Sequence, residues 1–276
     1  GLVIASFTRL CNLIFRQLGG LAYNYADAGA RTVTMWRTLD ELTGLLKEYK
    51  ITPENSRRWA QLMLTETARL KTRGITPAML EGASLRLPES YTRLKNKLSD
   101  LSLIGVSYSR LLAELYDDPS DDLTRAAARL TGSGFFAGCD VFFDAFDGFT
   151  QPQYILIREM LRQAGNATVA LCSLPGMRSP AFDTVARTER ILRRIAGDIG
   201  AEVQNPFVLR IFPRYKNVAL ERVAAFLWDE EDDITGANID RPVSADNGRQ
   251  NADPATHCHI RVVDCTDRYE EAELAA

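Results

Sequence analysis

No GxxxxGKS or GxxxxGKT loop occurs in this chain, so the glycine-rich phosphate cradle of a nucleotide motor is missing from it. No stretch approaches the roughly 18 apolar residues of a membrane-spanning helix. The first apolar stretch has no basic leader and contains Arg9 and Arg16, so it does not read as a secretory signal. Cysteine is scarce: Cys11, Cys139, Cys172, Cys258 and Cys265 are scattered and none forms a CxxC pair. An odd, unpatterned set of thiols fits a reducing cytoplasm. The only two histidines flank Cys258, and adjacent residues on a strand point to opposite faces, so no metal site is expected at His257–His259. There is no basic excess either: 33 Lys and Arg stand against 36 Asp and Glu, a net charge of −3. Any contact with nucleic acid must therefore be local.

What is present is the composition of a soluble globular protein, 276 residues with 46% hydrophobic and 25% charged, enough for a sizeable core in one or two domains. The chain opens in a strand-like run without an initiator methionine and stops in a helix-like one, so it reads as an excised part of a longer protein.

The periodicity changes along the chain. Leu2–Phe7 is short, apolar and β-branched, the pattern of a buried parallel strand. Leu10, Leu13, Ile14, Leu18 and Leu21 then recur at helical spacing, up to Gly19-Gly20. From 27 to 130 the pattern is helical throughout. Thr52-Pro53 and Thr76-Pro77 each read as a helix start, a threonine cap followed by proline in the first turn. A long helix is expected from about Pro88 to Leu115 and a short one over Asp121–Leu130. Trp36 and Trp59 read as packing anchors. After 131 come strand Asp140–Phe143, helix Pro152–Ala164, strand Thr168–Ser173, and helices Phe182–Ile199 and Tyr215–Trp228. Alternating strands and helices imply a parallel α/β core. Residues 229–257 are acidic and polar, a linker. The final stretch, 258–276, reads as a strand, His259–Cys265, and the start of a helix.

Two segments carry the chemistry. Val141–Thr150, VFFDAFDGFT, is an apolar strand ending in an acid, Asp144, as in a Walker B element that holds a magnesium shell. The next position, where hydrolysis needs a glutamate to place the attacking water, is Ala145, so hydrolysis is not expected. A plain turn cap explains Asp144 equally well. Ser6, Phe7, Thr8 and Arg9 stand at the C-terminal end of the first expected strand, where α/β sheets place ligands. A hydroxyl and a guanidinium can bind phosphate and Phe7 can stack on a base; taken alone, the residues favour Phe7 in the core and Arg9 as a solvated charge. Arg187, Arg190 and Arg194 fall at helical spacing and read as a solvated or ion-paired face ahead of a phosphate track. Lys71, Arg73, Arg93, Lys95 and Lys97 read the same way.

Five segments in order resemble the superfamily 1 helicase fold, and more closely the AddB-type subunit of bacterial ATP-dependent helicase-nucleases. They are Ser6–Leu10 (SFTRL), Leu70–Pro77 (LKTRGITP), Lys97–Leu101 (KLSDL), Asp144–Thr150 (DAFDGFT) and the acidic helix start Arg268–Glu273. The likeness spans nearly the whole chain. It departs at Ala145, where the family has glycine, and at Asn12, where it commonly has tryptophan. The resemblance implies a P-loop-NTPase-like, RecA-like motor domain 1A over 1–26 and 131–228, a helical insertion 1B over 27–130, and the start of a second α/β domain 2A at 258–276. It also implies contact with single-stranded DNA through Ser6, Phe7, Thr8 and Arg9, with Thr8 and Arg9 foremost, and a vestigial Walker B acid at Asp144. The implied setting is the processing of double-strand DNA ends for recombinational repair, beside an AddA-type motor partner. ATP with magnesium and an iron–sulfur nuclease domain belong to the implied parent, the cluster outside this chain. The competing expectation is a piece of an active superfamily 1 ATPase whose P-loop lies upstream of Gly1.

Overall fold

The computed structural model describes residues 1–21, 24–173 and 182–208. The chain divides into two units, one of 1–172 with 184–203 and one of 173–183 with 204–276. The second lies almost wholly outside the described residues, as do the expected helix Tyr215–Trp228, the 229–257 linker, His257–His259, Cys265 and the acidic start at 268–273.

The first unit is α/β: mostly helical, with one two-stranded parallel sheet. Its elements are α1 (Phe7–Leu18), α2 (Ala28–Glu41), α3 (Ser56–Thr72), α4 (Pro77–Arg86), α5 (Thr92–Ala113), α6 (Asp122–Leu130), β1 (Asp140–Phe143), α7 (Gln151–Gln163), β2 (Asn166–Val169) and α8 (Asp183–Ile199). β1 and β2 pair in register from Asp140 against Asn166 to Phe143 against Val169. α7 makes the crossover that a parallel pair requires.

Two apolar clusters hold the unit. The first joins Cys11, Ile14 and Phe15 of α1, Ala126, Ala127 and Leu130 of α6, Phe143 of β1, and Leu156, Ile157 and Met160 of α7. α6, grouped with the insertion by its helical pattern, contributes its apolar face here. The second cluster joins Met35 and Leu39 of α2, Ala60 and Met63 of α3, and Ile104, Tyr108 and Leu112 of α5. Trp36 and Trp59 pack at its edge, Trp36 donating to the Ser56 hydroxyl at 2.8 Å and Trp59 meeting Tyr49 edge-on. The two chain crossings between the clusters pair with each other: the Asp117 N–H donates to the Asn24 carbonyl at 2.9 Å and the Ala26 N–H to the Asp117 carbonyl at 3.0 Å.

Three expectations from the sequence need correction. Leu2–Phe7 is not a strand: Leu2, Val3 and Ile4 are 88%, 67% and 78% exposed, and α1 already begins at Phe7. Apolar β-branched residues favour a strand only where an edge is present to pair with, and no described residue pairs with them. The second strand is Asn166–Val169 rather than Thr168–Ser173, because pairing with β1 sets its limits. α3 starts at Ser56 rather than at Thr52-Pro53. The Asn55 side chain accepts from the Thr52 N–H at 2.9 Å and donates to the Lys50 carbonyl at 3.1 Å, folding 50–55 into a turn before the helix. At Thr76-Pro77 the local signal holds: the Thr76 hydroxyl accepts from the Met79 N–H and Pro77 is the first residue of α4.

Candidate nucleic-acid interface

β1 ends at Phe143, and the chain must turn at once to start α7 at Gln151. Asp144 is exposed, and its carboxylate accepts from the Ala145 N–H at 2.9 Å, a turn-capping bond. Ala145 has φ of +62°, the left-handed region, where a residue with a Cβ costs about 1 kcal/mol. Glycine bears no such cost. The left-handed step carries the chain into Phe146 and Phe149, both half-buried.

Those two rings meet α1. Phe7 lies edge-on to Phe146 with centroids 5.6 Å apart and to Phe149 at 6.0 Å. Phe149 also meets Phe146, Phe143 and Tyr154 at 4.9, 6.0 and 5.5 Å. Such edge-on pairs add about 0.5–1.5 kcal/mol each beyond their burial. The two segments singled out from the sequence, some 140 residues apart, are therefore one surface.

α8 fixes the turn from the other side. Thr188, 2% exposed, sits with its hydroxyl 2.9 Å from the Asp147 carbonyl, to which it donates. Gly148 lies against the same helix, where a Cβ would come within 3.2 Å of the Thr188 hydroxyl. At the far end of the turn the Gln153 side chain accepts from the Thr150 N–H at 2.7 Å, fixing the start of α7.

The four expected contact residues separate by role. The Ser6 hydroxyl accepts from the Arg9 N–H at 3.3 Å and so caps α1. Phe7 is committed to the aromatic cluster. Thr8 and Arg9 are exposed on the first turn of α1, and Arg9 has no ion pair among the described residues. The partners Phe146, Phe149, Tyr154 and Thr188 escaped the sequence reading. The signal was a threonine inside an apolar helix face, Val185, Thr188 and Ile195, where a buried hydroxyl needs an acceptor on another element.

Lys71, Arg93 and Lys95 of the helical part are ion-paired, while Arg73 and Lys97 are exposed with no ion pair among the described residues. Lys71 reaches Asp118 at 2.7 Å and Asp121 at 2.8 Å, tying α3 to the turn before α6. Burial alone would lower the Lys71 pKa, but hydrogen bonds and charge from Asp118 and Asp121 prevail and raise it. Burial likewise pushes Asp118 upward, and the Lys71 and Ser120 bonds outweigh it and hold the carboxyl below its ordinary value. Arg93 pairs with Glu48 at 2.6 Å, and Lys95 pairs with Glu89. Gly74 has φ of +69°, and a Cβ there would overlap the Gln151 side chain, 2.9 Å from its Cβ. Asp100, 2% exposed, accepts the N–H groups of Lys47, Glu48 and Tyr49 at 2.9, 2.7 and 3.0 Å.

Among the described residues no group of three or more His, Cys, Asp or Glu side chains is arranged to hold a metal. The cysteines Cys11, Cys139 and Cys172 are separate free thiols, which do not fit an iron–sulfur cluster. Burial, helped by the Asp122 charge, pushes the Cys11 thiol up to about 11, so it packs rather than reacts. No helix among the described residues is long and apolar enough to cross a membrane.

Fold and site thus define a mostly helical α/β unit with a two-stranded parallel sheet, in which Phe7 of α1 packs on the turn after β1. The family described as "ADDB, N-terminal" matches residues 2–223, and the chain belongs to it. It is similar to the B-type subunit of the ATP-dependent helicase/deoxyribonuclease of Acetivibrio thermocellus, 27% identical over 217 residues, 77% of this chain and 19% of that protein. The proteins of the same description from Caldanaerobacter subterraneus subsp. tengcongensis and Desulforudis audaxviator are 30% identical over 207 residues and 31% identical over 217. Those matches cover 74% and 75% of this chain and 18% of each relative. The chain therefore spans about a fifth of the length of the curated relatives it matches.

Proposed function

We propose that this chain is the helicase-like part of an AddB-type subunit, a nonhydrolytic domain that guides single-stranded DNA while an AddA-type partner supplies the active motor. The whole complex would process double-strand DNA breaks for recombinational repair. The observation that carries this reading is the division of labour on α1. Phe7 locks the first turn to Phe146 and Phe149, and Thr8 and Arg9 are left exposed with no structural employment. A hydroxyl and an unpaired guanidinium at a helix N-terminus form a donor set for a backbone phosphate. The rims of Phe7, Phe146 and Phe149 beside them offer apolar surface to an unstacked base.

The nonhydrolytic part rests on Asp144 and Ala145. Asp144 is engaged by its own turn, and a methyl group at Ala145 cannot orient water. Motor-like architecture here serves to place α1 and the turn, not to turn over ATP.

The test is DNA affinity in the intact protein with its partner. Arg9→Ala should weaken binding of a single-stranded oligonucleotide and leave the unfolding free energy within about 0.5 kcal/mol of the parent. Unchanged affinity would sink the DNA-guiding reading. Steady ATP hydrolysis by the protein without its partner would sink the nonhydrolytic one and favour an active superfamily 1 ATPase.

A further inference from the structure

We propose that the exposed face of α8 bearing Arg187, Arg190 and Arg194 is a phosphate track that continues the path of the single strand away from the turn. The inference rests on the DNA-guiding reading above and extends it to a second element.

The three arginines fall within about 60° of helix circumference and about 10 Å of helix length, at 100° and 1.5 Å per residue. The opposite face is buried through Val185, Thr188 and Ile195, so the arginine face points to solvent. Sequence spacing alone left a solvated or ion-paired face as the simpler account. Among the described residues the ion pairs do not form. Arg193 pairs with Glu189 at 2.8 Å, and Asp198 is taken by Arg158 of α7 at 3.6 Å. Arg187, Arg190 and Arg194 have no carboxylate within 4.0 Å among the described residues. Three arginines with no carboxylate in contact among the described residues, on a face bounded by Asp183 and Asp198, make the middle of α8 a local cationic feature in a chain of net charge −3.

Position selects the ligand. Thr188, the neighbour of Arg187, donates to the Asp147 carbonyl, and Gly148 lies against Thr184 and Thr188. The stripe therefore starts within one helical turn of the segment that packs on Phe7. Arg9 lies two residues after Phe7 on α1, and Arg187 precedes Thr188 on α8. Cations on two elements that both pack on one aromatic turn are the ingredients of single-strand recognition, backbone charge with stacking surface. Guanidinium groups are suited to phosphate by their planar fork.

The test measures binding of a fluorescent oligothymidylate to the intact protein across a salt series. The proteins compared are the parent, Arg187→Gln/Arg190→Gln/Arg194→Gln, the matching triple lysine variant, and Arg9→Ala. The triple glutamine variant should lower affinity and reduce the slope of log affinity against log salt by about 2, at roughly 0.7 per phosphate contact on a single strand. Triple lysine should keep the slope. An unchanged slope in triple glutamine overturns the track, and so does an equal loss in triple lysine, which would mean lost packing instead of lost charge. If Arg9→Ala weakens binding and triple glutamine does not, the track falls alone. If neither change matters, or the parent does not bind the strand, both readings fall. Should triple glutamine fail to fold, each single glutamine variant should take about 0.7 off the slope, and three unchanged slopes overturn the track equally.

Discussion

The helical module and the α/β part treat their signature residues differently. In the module, four residues of the LKTRGITP and KLSDL segments are consumed by the fold, while Arg73 and Lys97 of the same segments are exposed and without an ion pair among the described residues. Lys71 is paired, Gly74 supplies a left-handed backbone against Gln151, Thr76 caps, and Asp100 gathers three amides. In the α/β part, Ser6 and Phe7 are consumed in the same way, while Thr8 and Arg9 remain over. A family signature is thus not by itself a functional site. The residue without an internal partner is the one available to a ligand.

If the contrast is right, variants in the module should cost stability and variants on the exposed turn of α1 should cost binding. The largest expected effect is Asp100→Ala, which leaves three amides in a tight turn without their acceptor, at about 3 kcal/mol or more. Urea unfolding would measure it, and Asp100→Asn should recover part of the loss. A near-neutral Asp100→Ala would break the comparison, because the module would then be holding that carboxylate for something else.

Gly74→Ala comes next, at about 2–3 kcal/mol, since it combines a left-handed backbone with overlap on Gln151. Its readout is the same unfolding curve, with Gln151→Ala/Gly74→Ala expected to recover the overlap but not the backbone cost.

Lys71→Met should cost about 2 kcal/mol by leaving Asp118 buried without its partner. The pair also sets a pH window. Asp118 has its folded pKa depressed, so its contribution is present above the unfolded value of about 3.9 and is lost as pH falls through the lower folded value. Lys71 has its folded pKa raised, so its contribution is complete below about 10.4 and is lost as pH rises through the higher folded value. The stability difference between Lys71→Met and the parent should therefore be flat from about pH 5 to 9 and shrink at both extremes. A difference that grows outside that window would refute the assignment.

The smallest effect has the opposite sign. Ala145→Gly should stabilise by about 0.5–1 kcal/mol, because glycine occupies φ of +62° without a Cβ penalty. It should leave ATP turnover at background, measured by phosphate release from the protein without its partner. Gain of turnover would mean that backbone strain, rather than the missing acid, had silenced the site.

Legibility followed the range of the interaction. The Thr76-Pro77 helix start was legible because cap and proline act within one turn. Thr52-Pro53 carries the same local signal and misleads, since Asn55 closes the preceding turn instead and Trp36, 20 residues away, bonds Ser56 at the true start. Ala145 was legible as a missing acid, but its left-handed backbone was not. The long α5 stripe was legible at its centre, Ile104, Tyr108 and Leu111, and fails at its ends, where Leu94 and Leu115 are exposed. Arg187, Arg190 and Arg194 were legible as one helix face, but whether carboxylates neutralise that face depends on neighbours the spacing does not name.

By itself the sequence determined the run of helices from 27 to 130, the strand–helix–strand order after 140, the family, and the alanine after Asp144. Those are matters of local pattern: side-chain periodicity, caps within one turn, and the chemical identity of single residues. Tertiary structure decided that the Ser6–Arg9 and Val141–Thr150 segments are one surface, that Phe7 is a packing residue, and that Thr8 and Arg9 are exposed. These outcomes depend on which ring, amide or carboxylate arrives from a distant part of the chain, and only the packed fold brings such partners within reach.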